Sequence, residues 1–345
     1  SEQNMRSLSV KSDRNYQVIV GVNGLESIKE LCKDHSKVLL IAPSSLIKLF
    51  KLKDGKNLTI FPTPDGENQK TVATLDRIWK KCAAIGLGRQ DAIIGFGGGA
   101  TTDLAGFASA TWLRGITWYA IPTSLAGMVD ASVGGKTGVN SSAGKNLIGS
   151  FYSPAKVLID PTFLEKLSKR DLSAGMAEVI KCGFIADYKI LNLVQEDDLD
   201  YSQLIYRATK VKSRVVSKDF KESKLREILN YGHTLGHAIE KDSKYKLRHG
   251  EAVSIGMVFA AELSRELAGL SEDAVHLHRE LLQNFNLPIK YPRDRWKNLS
   301  TLLLMDKKVK QSKVRFIGIS KIGKPVWLED VSSNLLTKVY ERIAK

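Results

Sequence analysis

Three of the six histidines in the chain, His233, His237 and His249, lie close together in the sequence. Imidazole nitrogens bind divalent metals, and a catalytic metal commonly takes three protein ligands and keeps one position open. His233 and His237 are spaced i, i+4, so both would point to the same side of a helix. The third ligand is either His249 or a carboxylate from elsewhere in the chain. The spacing therefore predicts a catalytic metal site.

Glu178 is the best carboxylate candidate because it lies in an otherwise apolar helical stretch. Lys181 follows one turn later on the same side of that helix. Burying a Glu–Lys pair is costly unless further interactions compensate. Metal ligation by Glu178, with Lys181 contacting substrate, would supply them. A simple salt bridge is the alternative.

A polar face extends this candidate site towards the N-terminus. Arg226 and Asn230 are spaced i, i+4 and continue to the histidines at i+7 and i+11, so a helix over 222–241 would align all four. Gly232 and Gly236 each cost about 1 kcal/mol relative to alanine inside a helix. The close approach of a metal or substrate would explain both glycines.

A second group of chemistry-bearing residues surrounds a glycine run at 97–99. The segment 91–103 is predicted to be a strand, a tight turn and a helix start, in which backbone N–H groups can bind a phosphate. Thr101 or Thr102 is expected to cap that helix. The usual dinucleotide fingerprint fits poorly, because the stretch 116–121 has no acidic residue. We therefore expect dinucleotide binding in a different manner.

The segment 133–138 resembles a P-loop but lacks its first glycine, so ATP hydrolysis is disfavoured. Lys136 and Lys145 lie with Asn140 and Asn146 in a stretch rich in Gly, Ser and Asn. These side chains could bind an anion. The alternative is a solvated loop.

The elements that must position these residues change character along the chain. Short runs rich in Val and Ile predict strands at 16–22, 38–41, 58–61, 92–95, 118–121 and 157–159, with a helix over 69–85 between them. Helical periodicity then dominates at 171–195, 202–218, 222–241, 250–268, 274–285 and 333–343, with strands at 314–319 and 326–328. The fold class predicted is an α/β, Rossmann-like nucleotide-binding domain over 1–162, followed by a mostly α-helical metal-binding domain over 163–345.

Charge is the unusual feature of the composition, since 52 basic and 37 acidic residues among 345 give a net charge of +15. Such a charge attracts polyanions, anionic membranes or small phosphorylated ligands, although a lysine-rich surface without function is the alternative. No nucleic-acid-binding motif accompanies it, and no apolar run reaches the ~20 residues of a membrane helix. Cys32, Cys82 and Cys182 are widely spaced, which favours reduced thiols. With a polar stretch over 1–17, this favours a cytoplasmic protein.

Taken together, the motifs resemble the 3-dehydroquinate synthase family, most closely its actinobacterial members. The matching segments are DGENQK (65–70), GGGATTD (97–103), WLRG (112–115), MVDASVGGKTG (128–138), GKN (144–146), AEVIK (177–181), NYGHTLGH (230–237), HG (249–250) and DKK (306–308). The chain departs from the family at Ala42, Pro43 and Ser44, where a Thr-Asp pair commonly binds the adenosine ribose.

The resemblance implies a lyase of the shikimate pathway that uses NAD and one divalent metal, usually zinc, with cobalt as an alternative. Its substrate would be 3-deoxy-D-arabino-heptulosonate 7-phosphate and its products 3-dehydroquinate and phosphate. Transient oxidation at C5, phosphate elimination, reduction, ring opening and intramolecular aldol closure make up the expected cycle. The resemblance also implies a homodimer. The missing nucleic-acid motifs and the lack of a long apolar run predict no nucleic-acid or membrane partner.

The resemblance also assigns roles to residues. The metal ligands would be Glu178, His233 and His249, with His237 near the phosphate instead of on the metal. The residues at the reacting groups would be Asp130, Lys181, Lys212, Asn230 and His237. NAD would be bound by Glu67, Lys70, Gly98, Gly99, Asp103, Thr123, Ser124, Lys145, Phe163 and Leu164. The substrate's carboxylate and phosphate would be bound by Lys136, Asn146, Lys212, Arg226, Asn230, His237, Lys307 or Lys308, and by Arg114, which can come from a partner subunit.

Three other functions remain open at this point. One is another sugar phosphate cyclase, of the aminodehydroquinate or valiolone type, although Asn230 and His237 disfavour the valiolone type. The second is a metal-dependent polyol dehydrogenase related to glycerol dehydrogenase. The third is a non-catalytic protein that binds anions or nucleic acid.

Overall fold

The computed structural model describes residues 5–221, 223–309 and 314–345. The chain forms two compact units: unit 1 comprises Ser1–Leu167 with Tyr201–Lys221, and unit 2 comprises Ser168–Asp200 with Glu222–Lys345. The division thus differs from the one predicted after residue 162. The helix at Tyr201–Lys218 returns to unit 1 because its apolar face packs on the first two strands of that unit.

Eleven strands are formed by the described residues. They are β1 (Arg6–Val10), β2 (Tyr16–Val20), β3 (Val38–Pro43), β4 (Leu58–Thr63), β5 (Ala92–Gly97), β6 (Thr117–Pro122), β7 (Lys136–Ser141), β8 (Gly144–Phe151), β9 (Lys156–Ile159), β10 (Arg315–Lys321) and β11 (Lys324–Glu329).

Twelve α-helices are formed by the same residues. They are α1 (Gly24–Asp34), α2 (Ser44–Phe50), α3 (Val72–Ala84), α4 (Gly99–Thr111), α5 (Lys169–Ile185), α6 (Tyr188–Leu193), α7 (Tyr201–Lys218), α8 (His233–Asp242), α9 (His249–Ala268), α10 (Glu272–Asn284), α11 (Trp296–Val309) and α12 (Ser333–Tyr340).

Unit 1 is built on a seven-stranded sheet in the order β1-β2-β9-β6-β5-β3-β4. All neighbouring strands are parallel except β1 and β2, which pair antiparallel at one edge. Every residue of β3 and of β5 is buried, as expected for parallel strands covered on both faces. This explains why continuous apolar runs predicted these two strands. The segment 136–151, expected to be partly a loop, instead forms the hairpin β7–β8.

Unit 2 is mainly helical, with α5, α8 and α9 at its centre and the hairpin β10–β11 packed on α9. Two close approaches require glycine on α9. A Cβ on Gly250 would lie 1.9 Å from the carbonyl oxygen of Ala174 on α5, and one on Gly256 would lie 1.9 Å from the carbonyl oxygen of Gly232. These contacts bring the N-terminal end of α9 against α5 and the N-terminal end of α8 against α9.

Two of the predicted helices differ from the structure. The helix predicted over 171–195 is divided into α5 and α6. The helix predicted over 222–241 is not continuous. Its first predicted residue lies outside the described part of the chain, and the structure has a short 3-10 helix, Leu225–Asn230, followed by α8. The break occurs at Gly232, which has a φ of +82°. Of the helices that the structure describes, none combines the length and the apolar character needed to span a membrane.

Candidate metal centre and nucleotide site

Glu178, His233 and His249 come together in unit 2. Glu178 lies on α5, and the two histidines are the first residues of α8 and α9. One ligand atom from each residue lies within 4.8 Å of the other two. Glu178 Oε1 is 3.2 Å from His249 Nε2 and 3.6 Å from His233 Nε2. The family resemblance selected these three residues.

Local packing determines where both histidines lie. A Cβ on Gly232 would lie 2.6 Å from Met257 Cγ and 3.0 Å from the Val253 carbonyl oxygen, so only glycine lets the chain turn here into His233. Gly250 likewise lets the start of α9 reach Ala174, one helical turn before Glu178. The two glycine contacts therefore set the distance between α5 and the imidazoles.

The three side chains fit a divalent metal. Glu178 Oε1 and His233 Nε2 are buried, and neither has a hydrogen-bond partner of acceptable geometry among the described residues. Buried polar atoms are rarely left in this state, because the loss of hydration is not compensated. Two imidazole nitrogens and one carboxylate form a common ligand set for catalytic zinc, and a cation at their meeting point would satisfy these atoms.

Charge and burial have opposing effects on the pKa values of this group. Burial, followed by the Lys181 ammonium, lowers the pKa of His233 to about 4. For His249, burial disfavours the charged form, but the carboxylates of Glu178 and Glu240 outweigh it and raise the pKa to about 10. In the absence of a metal, a proton thus occupies His249 between two carboxylates. Burial also disfavours the Glu178 carboxylate, yet Lys181 and the two histidines hold the pKa of Glu178 well below its usual value.

Lys181 and Glu178 form a buried ion pair along α5. Lys181 Nζ donates to Glu178 Oε2 at 2.6 Å, and the two side chains are 3% and 1% exposed. The second carboxylate oxygen, Oε1, faces the histidines instead. The salt bridge and the metal ligand that the sequence suggested as alternatives are therefore compatible, because they use different oxygens.

His237 lies one turn after His233 on α8 but does not join the Glu178 group. The two rings pack edge to face with centroids 5.3 Å apart, and the His237 side chain is 56% exposed. Its Nδ1 lies 3.3 Å from Glu240 Oε1, which is also 2.7 Å from His249 Nδ1. The sequence reasoning missed Glu240. The i, i+3 spacing of His237 and Glu240 was the feature of the sequence that could have indicated this contact.

The expected polar helix face from Arg226 to His237 is wrong, because the turn at Gly232 separates Arg226 and Asn230 from α8. Arg226 is nevertheless 2% exposed, within the 3-10 helix that Asn230 ends. Lys307 and Lys308 lie in the last turn of α11, with exposed side chains.

Unit 1 contains the glycine turn between β5 and α4. Gly98 is the residue before α4, and Thr101 and Thr102 lie inside that helix, so the expected capping role of either threonine is wrong. Ser124 Oγ would be 3.4 Å from a Cβ on Gly98, and the backbone N–H of Thr123 donates to Gly97. The turn and the residues after β6 are therefore adjacent.

A polar network lies beside this turn. Lys70 is 1% exposed, and its Nζ donates to Asp103 Oδ2 at 2.9 Å and to Asn146. Burial raises the pKa of Asp103 to about 6, although Lys70 acts in the opposite direction. Glu67 accepts a hydrogen bond from Asn140 at 2.9 Å. The structure thus brings together four predicted site residues, Glu67, Lys70, Asp103 and Asn146, in one unit.

The other predicted residues of unit 1 occupy different environments. Lys212 on α7 donates to Asp130 Oδ1 at 2.6 Å. Phe163 and Leu164 are buried in a short 3-10 helix, Pro161–Lys166. Lys136, Lys145 and Arg114 are not buried: the two lysines lie on the hairpin β7–β8, and Arg114 has a φ of +64° in the turn after α4.

Two family models match consecutive parts of this chain. The model described as 3-dehydroquinate synthase N-terminal covers residues 60–174, and the model described as 3-dehydroquinate synthase C-terminal covers residues 175–309. Together they contain all of the predicted site residues.

Individual relatives match over nearly their whole length. A 3-dehydroquinate synthase from Paenarthrobacter aurescens is 47% identical, with 96% of each chain covered. A 3-dehydroquinate synthase from Mycolicibacterium vanbaalenii is 45% identical, with 98% of each chain covered. The crystal structure of 2-deoxy-scyllo-inosose synthase complexed with carbaglucose-6-phosphate, NAD+ and Co2+ is similar, with a TM-score of 0.82, 26% identity, and coverage of 98% of this chain and 99% of that one.

Proposed function

The chain belongs to the 3-dehydroquinate synthase family, and we propose that it converts 3-deoxy-D-arabino-heptulosonate 7-phosphate into 3-dehydroquinate and phosphate. The observation that carries this proposal is the convergence of Glu178, His233 and His249. Glu178 Oε1 and His233 Nε2 are buried there without a hydrogen-bond partner among the described residues. A phosphate-eliminating lyase of this kind belongs to the route to aromatic compounds.

The proposed cofactors are NAD and one divalent metal, for which zinc suits the nitrogen and oxygen ligands. NAD would supply a reversible hydride acceptor for C5, and a metal held by Glu178, His233 and His249 would polarise the neighbouring hydroxyl groups. The transient C5 ketone acidifies the proton at C6, which permits phosphate to leave. Because the hydride returns, the net reaction is a cyclisation without redox change.

The residues of unit 2 would bind the metal and part of the substrate. Glu178 is held in its charged form by Lys181, so it presents Oε1 as a ligand without needing to lose a proton first. His237 is exposed beside the metal ligands, and we assign it to proton transfer at the phosphate. Arg226, Asn230 and one of Lys307 and Lys308 would bind anionic or hydroxyl groups of the substrate.

The residues of unit 1 would bind NAD and the remaining substrate groups. The glycine turn at Gly98 and Gly99, at the N-terminal end of α4, suits a phosphate of the dinucleotide. Lys70 supports this assignment because its pairing with Asp103 keeps the polar network beside the turn in place. The Lys212–Asp130 pair places a buried ammonium beside a carboxylate, an arrangement that can bind and orient hydroxyl groups.

A substrate assay tests the proposal directly. We expect purified protein with catalytic NAD and zinc to release phosphate and form dehydroquinate in equal amounts, with no net NADH. Steady accumulation of NADH would identify a polyol dehydrogenase instead. Turnover of an amino-substituted heptulosonate in place of this substrate would identify the aminodehydroquinate type. Glu178→Gln should abolish zinc-dependent turnover, whereas Glu262→Gln, in a separate buried ion pair with Arg279, should retain it.

We also propose a homodimer in the cytoplasm. Support for a reducing compartment comes from Cys32, Cys82 and Cys182, which are far apart in the sequence and form no disulfide with one another. Support for the dimer comes from the family resemblance, in which Arg114 can serve the partner subunit. Light scattering should give twice the chain mass of 38.2 kDa. A monomer with full activity would exclude the shared role of Arg114.

A further inference from the structure

Glu240 on α8 is a buried carboxylate to which the family motifs assign no role. It is 7% exposed, and its Oε1 contacts two imidazoles. The distance is 2.7 Å to His249 Nδ1 and 3.3 Å to His237 Nδ1. One oxygen atom therefore links a predicted metal ligand to the exposed histidine beside it.

The chemistry of these contacts determines which ring nitrogen carries a hydrogen. An ionised carboxylate can only accept hydrogen bonds, so Nδ1 of His249 must be the donor towards Glu240. Once a metal displaces the second proton of the imidazolium, the other nitrogen, Nε2, has a lone pair. That lone pair lies 3.2 Å from Glu178 Oε1, which is also an acceptor. Without a metal, the second proton lies between these two atoms, and a bound metal cation would take its place.

We propose that Glu240 is a positioning residue that holds His249 in the Nδ1–H tautomer, so that Nε2 binds the metal. The same contact holds His237 in the same tautomer. Ligating histidines generally donate their second ring N–H to a carboxylate or carbonyl, which fixes the ring orientation and increases its basicity as a ligand. This inference rests on the proposed metal site.

One alternative arrangement of the metal uses the same side chains. His237, Glu240 and His249 also have ligand atoms within 4.8 Å of one another, so this trio could hold an ion itself. His249 would then bridge two cations through its two nitrogens. A second ion would leave His249 without a hydrogen-bonded orienting partner. The number of metal ions bound per chain separates the two arrangements.

Metal binding by the full-length protein tests the assignment without any need for turnover. Zinc is titrated into metal-free protein in competition with a chromophoric chelator. We expect one zinc per chain, and Glu240→Ala should weaken zinc binding by about 10- to 100-fold. Glu240→Gln should weaken it less, because the amide oxygen still accepts from Nδ1–H. Glu262→Gln is the matched control, since Glu262 is equally buried and paired with Arg279, and its zinc affinity should equal that of the wild type.

Imidazole nitrogen NMR of histidine-labelled protein provides a second measurement. Zinc-loaded wild type should show His249 protonated at Nδ1, with a downfield Nδ1–H signal that exchanges slowly with solvent, and Glu240→Ala should shift that signal upfield and speed its exchange. Zinc affinities of both Glu240 variants within twofold of wild type would overturn the assignment, as would an Nε2–H tautomer or two zinc ions per chain. If the wild type binds zinc and turns over substrate while the Glu240 variants behave as the wild type does, this inference alone is refuted. A wild-type chain that binds no zinc refutes the proposed function as well.

Discussion

Lys181→Met isolates the electrostatic role of the buried Lys181–Glu178 pair. Methionine retains most of the side-chain volume but removes the ammonium that donates to Glu178 Oε2 at 2.6 Å. Both side chains are almost fully buried, so the remaining carboxylate cannot recover hydration. Removing one partner of a buried ion pair commonly costs 3–5 kcal/mol, and we expect about 3 kcal/mol because His249 still provides a positive charge to Oε1.

The assay is urea unfolding of metal-free protein at neutral pH, with hydrogen exchange of the α5 amides as a local readout. The double variant Glu178→Gln with Lys181→Met should recover most of the lost stability, because neither buried charge remains. Zinc should restore more stability to Lys181→Met than to wild type, since the metal replaces the missing positive charge. A loss below 1 kcal/mol in metal-free protein, or equal stabilisation of both proteins by zinc, would refute this electrostatic explanation.

Two further predictions concern packing and pH. Gly256→Ala places a Cβ 1.9 Å from the carbonyl oxygen of Gly232, so we expect the free energy of unfolding to fall by about 1–3 kcal/mol and zinc to bind more weakly. The control is Gly55→Ala, because the nearest atom to its added Cβ is 3.8 Å away. An unchanged Tm of Gly256→Ala would contradict this prediction. Burial lowers the pKa of His278 in the folded protein to about 3, whereas the ordinary value of 6.5 applies to the unfolded chain. The folded state is therefore fully stable above pH 6.5. It loses stability as the pH falls below 6.5, because only the unfolded chain then takes up a proton at His278. Between about pH 7.5 and pH 5 this loss is about 2 kcal/mol, and urea unfolding of His278→Gln should lack it.

The sequence predicted best those elements whose apolar pattern follows directly from burial. The fully buried strands β3 (VLLIAP) and β5 (AIIGFG) lie in continuous apolar runs, so they were found without knowledge of their partners. The hairpin β7–β8 was missed because its residues are rich in Gly, Ser and Asn, and β8 is largely exposed. Its strands pair through the backbone, which leaves no apolar alternation in the sequence.

The candidate site shows a similar limit. An acidic residue in an apolar helix marked Glu178, and clustered histidines marked the α8 and α9 region. The break at Gly232 could not be predicted, because it depends on contacts with Val253 and Met257 on another helix. The role of Glu240 depends on its distance to His249, which the chain separates by the loop between α8 and α9. Spacing along one helix cannot show such contacts.

The return of α7 to unit 1 has a consequence for the order in which the chain can fold. During synthesis from the N-terminus, all nine strands of unit 1 are complete by residue 159, yet α7 ends only at Lys218. Until then, the faces of β1 and β2 that α7 contacts lack their cover. A fragment ending near residue 167 would expose the same surface and would be prone to aggregation. The shortest contiguous stretch that contains all of unit 1 therefore extends to Lys221 and includes the first helices of unit 2.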